Sequence, residues 1–129
     1  MQLEKGKAFK GFSDTSPKEE IHYHLRIVIS NMAINGRALT IPISTIHNQR
    51  YDNSCILKKG EHEFLTEEES YAFYAKAEAI CQKDIDELER MGKLIEYENV
   101  SKELLKRLQE GAKKSDFLPK CMELYFDEF

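Results

Sequence analysis

The sequence predicts a mainly β domain of the α+β class, a small and partly open β-barrel with short helices added toward the C-terminus. Three observations carry that prediction. Residues 22–44, HYHLRIVISNMAINGRALTIPIS, hold two apolar-alternating runs on either side of an Asn-Gly pair, the pattern of a β-hairpin. The other extended segments are short and separated by turn-forming residues. Capped helices come only late, from Asp84 onward.

In order, residues 3–12 supply a first short strand, with Gly6 and Gly11 at bends, and residues 13–20, SDTSPKEE, form an exposed loop. In the first hairpin run Tyr23, Leu25, Ile27 and Ile29 share one face, and His22, His24, Arg26 and Val28 the other. The second run sets Leu39, Ile41 and Ile43 against Thr40, Pro42 and Ser44. A two-residue turn would bring Ile27 opposite Ser44, an apolar group against a hydroxyl on the buried face. A three-residue loop, Ile34-Asn35-Gly36, with Gly36 left-handed and a bulge, pairs Ile27 with Ile43 and Ile29 with Ile41 instead. Arg26 then lies opposite Ser44 and His24 opposite Ile46, which builds a small cationic, hydroxyl-bearing patch.

Beyond the hairpin, HNQRYDNS breaks the pattern, Cys55-Ile56-Leu57 reads as a brief edge strand, and Lys58-Lys59-Gly60-Glu61 turns the chain. Residues 70–80, SYAFYAKAEAI, are compatible with a helix through their alanines and Glu78, but the strand reading is preferred, because Tyr71, Phe73 and Ala75 alternate, aromatic groups fit a pleated surface, and the next segment supplies the helix start. Asp84 caps a short helix carrying Ile85, Leu88 and Met91, and Gly92 stops it. Residues 94–97 form a further extended piece. Ser101 caps a clearer helix with Leu104, Leu105 and Leu108 on one face and Gly111 at its end. The expected core is Ile27, Ile29, Ile41, Ile43, Ile56, Phe73 and Leu105. Residues 1–113 form one barrel domain with its C-terminal helix, and 114–129 form a tail that docks on the core or pairs with a second subunit.

At 129 residues and 15.1 kDa the chain suits one core and not two. With 41% apolar and 33% charged residues, the body of the chain folds. A net charge of -4 and a pI near 5.6 argue against the broad basic surface of a duplex-DNA binder and leave room for a local basic groove. No stretch reaches the ~20 apolar residues of a membrane span, and the N-terminal decapeptide lacks an apolar signal core, so a cytoplasmic protein is expected. Three cysteines without CxxC spacing argue against a disulfide framework and a zinc site. The nearest metal-like grouping is His22-Tyr23-His24, whose more ordinary reading is two strand histidines, and no cofactor or metal is expected.

HLRIVISN followed by TIPIST resembles the RPVVVVSN and PITS segments of the PemK/MazF (Kid-like) toxins. AICQKDIDELERMGKL is similar to their late strand and short helix, RTIDKSRLxERIGxL, and SKELLKRLQEGA sits where that family has its final helix. The interior DNSCILKKGEHEFLTEEESYAFY resembles a PemK-like subset with a DxTCIL-GxHxF-SY pattern. The resemblance spans about residues 22–112. It implies an SH3-like barrel, a homodimer, and a metal-independent endoribonuclease neutralised by an antitoxin protein. Position by position, the family arginine falls on His24 and the family threonine on Ser44.

Metal-free RNA cleavage needs a base, an acid and donors to the phosphate. Imidazole suits either proton transfer. The candidate site is therefore His24 as proton carrier, Arg26 holding the phosphate, Ser44 donating to it, and His62 as second proton carrier. Each residue also has an ordinary reading: a solvated rim histidine, a serine that satisfies a turn, and Tyr71, Phe73 and Tyr74 as core. Glu67-Glu68-Glu69 would repel RNA nearby. The alternative function is a catalytically inert barrel that binds a protein partner, an antitoxin-like peptide or a second copy.

Overall fold

The computed structural model describes residues 1–11 and 24–129; the expected loop at 13–20 and strand positions 22 and 23 lie outside them. The long strand β3 (Arg37–Thr45) organises one seven-stranded antiparallel sheet. Around it are β1 (Ala8–Lys10), β2 (Leu25–Val28), β4 (Ile56–Lys58), β5 (Glu69–Ala72), β6 (Glu78–Cys81) and β7 (Ile95–Tyr97), in the order β4-β5-β3-β2-β1-β7, with β6 also on β3. Among the described residues, two helices, α1 (Gln82–Arg90) and α2 (Lys102–Lys114), join a 3-10 turn at Tyr74–Lys76 and a longer 3-10 segment at Lys120–Glu128. Among the described residues no helix is long and apolar enough to cross a membrane. This is the mainly antiparallel α+β architecture expected.

One edge of β3 serves two strands in turn, β6 along 37–40 and β5 along 43–45. Pro42 stands at the changeover. A proline has no N–H to give a ladder, and here its carbonyl alone is used, accepting from Phe73 N at 2.9 Å. Among the described residues the ladder does not close, since β4 and β7 end it. Side chains tie those ends: Glu63 N–H donates to Glu98 Oε1 at 3.0 Å, and Glu98 N–H donates to Glu63 Oε1 at 2.6 Å.

The hairpin tip is the expected one. Gly36 N–H donates to Ala33 O, Ala33 N–H donates to Arg37 O, and Gly36 has φ +75°. The body of the hairpin is shifted by two residues, pairing Leu25 with Ile43, Arg26 with Pro42 and Ile27 with Ile41. Alternation cannot detect an even shift, because every side chain keeps its face. Its cause lies at residues 30–32. Gln109 Nε2 takes the carbonyl of Ile29 at 2.9 Å, and the Ser30 hydroxyl replaces that carbonyl as acceptor for Leu39 N–H at 2.8 Å. The chain bulges there.

Ile27, Ile29, Ile41 and Ile43 are buried as expected, together with Leu25 and Leu39, under Leu104, Leu108 and Ala112 of α2. Ile56, Phe73 and Leu105 are only half-buried. In each case a neighbour points inward instead: Cys55 and Leu57, Ala72 and Tyr74, Leu104. The extended reading of 70–80 holds for 69–72 and 78–81, with the 3-10 turn between. Asp84 sits in the first turn of α1 and not at its cap, accepting the Cys81 N–H at 3.0 Å. Ser101 caps α2 through Leu104 N–H at 3.1 Å as expected.

Gly111 does not end α2, which continues to Lys114. A Cβ there would collide with Tyr74 Oη and stand 2.9 Å from Cys55 Cβ. Gly111 is therefore a close-packing residue, and it lets the Tyr74 hydroxyl donate to Leu108 O at 2.7 Å. The segment 114–129 joins the same core through Leu118 and Tyr125. It is pinned to the hairpin by Asn31 N–H donating to Glu128 O and by Asn35 Nδ2 donating to Tyr125 Oη at 3.0 Å.

Candidate functional site

Strand alternation gives the sheet two unlike faces. The inner face carries Leu25, Ile27, Ile41 and Ile43 of the main core; the outer face carries Arg26, Val28, Ala38, Thr40, Pro42 and Ser44. Part of the outer face is dry, where Phe9, Val28 and Ala38 pack with Leu3 and with Ile85 of α1. Beyond that cluster lie the residues singled out from sequence.

Arg26 is flanked by Phe9 on β1 and Pro42 on β3, and its side chain is 8% exposed. Its Nη2 meets Glu78 Oε1 at 3.3 Å, an ion pair that crosses β3 diagonally. Glu78 is positioned by its pairing with Thr40, whose hydroxyl donates to Glu78 O at 2.9 Å. The adjoining cleft, about 430 Å³, is lined by Arg26 and Arg37 together with Glu78, Asp84 and Glu87. Among the described lining residues, three carboxylates against two guanidiniums make it net negative.

Continuing the observed register by one residue sets His24 across from Ser44, in place of Arg26. Both are half-buried, at the end of the outer face away from α1. On its other side Ser44 pairs with Tyr71, whose ring contacts Tyr51 at 5.5 Å and Phe73 at 5.3 Å between centroids. His24, Arg26 and Ser44 thus share one face, with Ser44 diagonal to Arg26.

His62 is not with them. It is buried in the β4–β5 loop beside Tyr97, ring centroids 6.4 Å apart, and Tyr97 pairs with Ala8 on the inner face. Its Nδ1 accepts the Phe64 N–H at 3.1 Å, so Nε2 carries the proton and donates to Glu98 O at 2.8 Å. Both nitrogens are committed to backbone, which makes His62 a brace and not a second proton carrier. His62, Glu63 and Glu98 do bring ligand atoms within 4.8 Å of one another. His62 could bind a metal only by surrendering one of its backbone bonds.

The remaining titratable groups near the core are structural. Burial pushes the Cys55 thiol up, against the pull of Arg107, so it stays protonated. Burial likewise raises the Tyr74 hydroxyl far above its ordinary value. Glu61 loses something to burial, but its hydrogen bonds from Arg107, at 2.6 Å, and from Lys58 N–H outweigh that loss and hold its carboxyl below the usual range.

Sequence reasoning missed Glu78 as the partner of Arg26. The two are 52 positions apart, and nothing local marks the pairing. No protein-family model matches the chain, and neither does any curated protein.

Proposed function

We propose that the chain is an SH3-like barrel of the PemK/MazF kind that binds single-stranded RNA on its outer face and cleaves it without a metal. The observation that carries this reading is the β2–β3 register, which begins at Leu25–Ile43. Extended by one residue, it sets His24 across from Ser44, the two positions onto which the resemblance carries the family's arginine and threonine, with Arg26 next along β2. The antiparallel order of the strands, with β5 and β6 sharing one edge of β3, supports the SH3-like assignment. A cytoplasmic homodimer restrained by an antitoxin belongs to the same proposal.

In this mechanism the His24 imidazole takes the proton of a 2′-hydroxyl, whose oxygen attacks the adjacent phosphorus as the bond to the 5′-oxygen breaks. A solvent water protonates the leaving oxygen, and the imidazolium then releases its proton to solvent, giving a 2′,3′-cyclic phosphate and a 5′-hydroxyl. Ser44 donates to a non-bridging oxygen. Arg26 steadies the phosphate by exchanging Glu78 for it.

The second reading, an inert barrel that docks a protein partner, is favoured by the net negative cleft beside Arg26. Incubation of the purified chain with single-stranded RNA in excess chelator separates the two. Cleavage that is lost in His24→Ala and reduced in Ser44→Ala supports the nuclease. Absence of cleavage across varied RNA sequences supports the docking barrel.

A further inference from the structure

We propose that the cleft at the open end of the sheet's inner face binds an organic cation, an alkyl chain ending in an ammonium or guanidinium group. This site lies across the sheet from His24 and Arg26 and does not rest on the nuclease reading. The cleft encloses about 370 Å³, the size of a small-ligand pocket. Its floor is Ile43 and Leu65. Its aromatic wall is Phe64 against Tyr97, edge to face at 69° with centroids 5.2 Å apart.

Two carboxylates, Glu63 and Glu67, stand among the lining residues, and no basic side chain does among the described residues. A hydrophobic body would pack on the floor, and a cationic head would meet π-faces and carboxylates together. The Phe64 ring already receives one cation, with Lys10 Nζ 5.4 Å from its centroid. Ser70 and Thr45, cross-strand partners in the cleft, add hydroxyl acceptors for N–H donors.

The cleft is built rigidly. His62 Nδ1 holds the Phe64 backbone, and the reciprocal bonds between Glu63 and Glu98 hold its rim. The neighbouring run Glu67-Glu68-Glu69 deepens the negative potential and excludes phosphates. A free amine and an arginine or lysine side chain of a partner protein share the chemistry required.

The test is titration of the isotope-labelled full chain, followed by amide NMR, with agmatine, with a capped Gly-Arg-Gly peptide, and with a neutral capped Gly-norleucine-Gly control. Saturable shifts centred on Phe64, Leu65, Ser70 and Tyr97 are expected with a cationic probe, and binding of the neutral control is expected to be on the order of tenfold weaker. Glu63→Gln combined with Glu67→Gln keeps the acceptor for Glu98 N–H and should lower affinity about tenfold with an unchanged unfolding midpoint. Tighter binding of agmatine identifies a free amine, and tighter binding of the peptide identifies a partner's side chain. Equal binding of the neutral control, unchanged affinity in the carboxamide variant, or shifts centred elsewhere would overturn the proposal.

Discussion

Gly111→Ala separates two accounts of one residue. If Gly111 merely weakened α2, alanine would stabilise the protein by about 1 kcal/mol through helix propensity. The structure predicts the opposite sign. The new methyl group would collide with Tyr74 Oη, stand 2.9 Å from Cys55 Cβ and lie 3.1 Å from Ser54 O, all in fully or partly buried surroundings. Overpacking of this kind costs about 1–3 kcal/mol. Displacing the Tyr74 hydroxyl from Leu108 O costs about 1 kcal/mol more. After the propensity gain, the net loss is about 1–3 kcal/mol, or roughly 5–10 °C in Tm for a chain of this length. Thermal and urea unfolding, followed by circular dichroism, measures it. In a Tyr74→Phe background the nearest obstacle is gone, so the same substitution should be about 1 kcal/mol less damaging. A Gly111→Ala protein as stable as the parent, or strict additivity of the two changes, would refute the close-packing argument.

Other outcomes follow from the same structure. Cys55 is buried with its thiol raised, Cys121 is exposed and Cys81 is intermediate, so iodoacetamide should label Cys121 first and Cys55 only on unfolding, as read by peptide mass spectrometry. His62→Ala should lower stability by about 1–3 kcal/mol, because it strips the Phe64 N–H and Glu98 O of their partners. Cleavage of RNA, where present, should survive that change after correction for folded fraction. The Glu61 carboxyl titrates lower in the folded state than in the unfolded chain, so the unfolded state takes up more protons as pH falls. Its stabilisation is present above the ordinary value of about 4.5 and lost as pH drops through the folded value. Glu61→Gln should therefore flatten part of the acid limb of a stability-against-pH curve below about pH 4.5. Glu78→Gln should strengthen RNA binding severalfold in a low-salt filter assay, because it removes the competing carboxylate from Arg26.

Much of the architecture was legible because it depends on local chemistry. The Ala33–Arg37 turn needs a left-handed residue at Gly36, and Asn35-Gly36 announces it. Ser101 announces the start of α2 in the same way. What was illegible depends on groups distant in sequence. The two-residue shift of the hairpin comes from Gln109 reaching Ile29, 80 positions away. In strands as short as β4, one residue of phase error exchanges inside for outside, which is why the sequence points to Ile56 for the core while Cys55 and Leu57 occupy it. A glycine that closes a helix and a glycine that admits a neighbour look alike in sequence, so sequence alone assigns Gly111 to a terminus. His62 carries no local mark of its backbone partners at Phe64 and Glu98.

The most direct measurement is a titration of the labelled chain with a short RNA oligonucleotide blocked by 2′-O-methylation, which can bind and cannot be cleaved. Outer-face recognition predicts saturable chemical-shift changes centred on His24, Arg26 and Ser44, and none in the Phe64–Tyr97 cleft. Shifts confined to that acidic cleft, or no saturable change at His24 and Ser44, would contradict it.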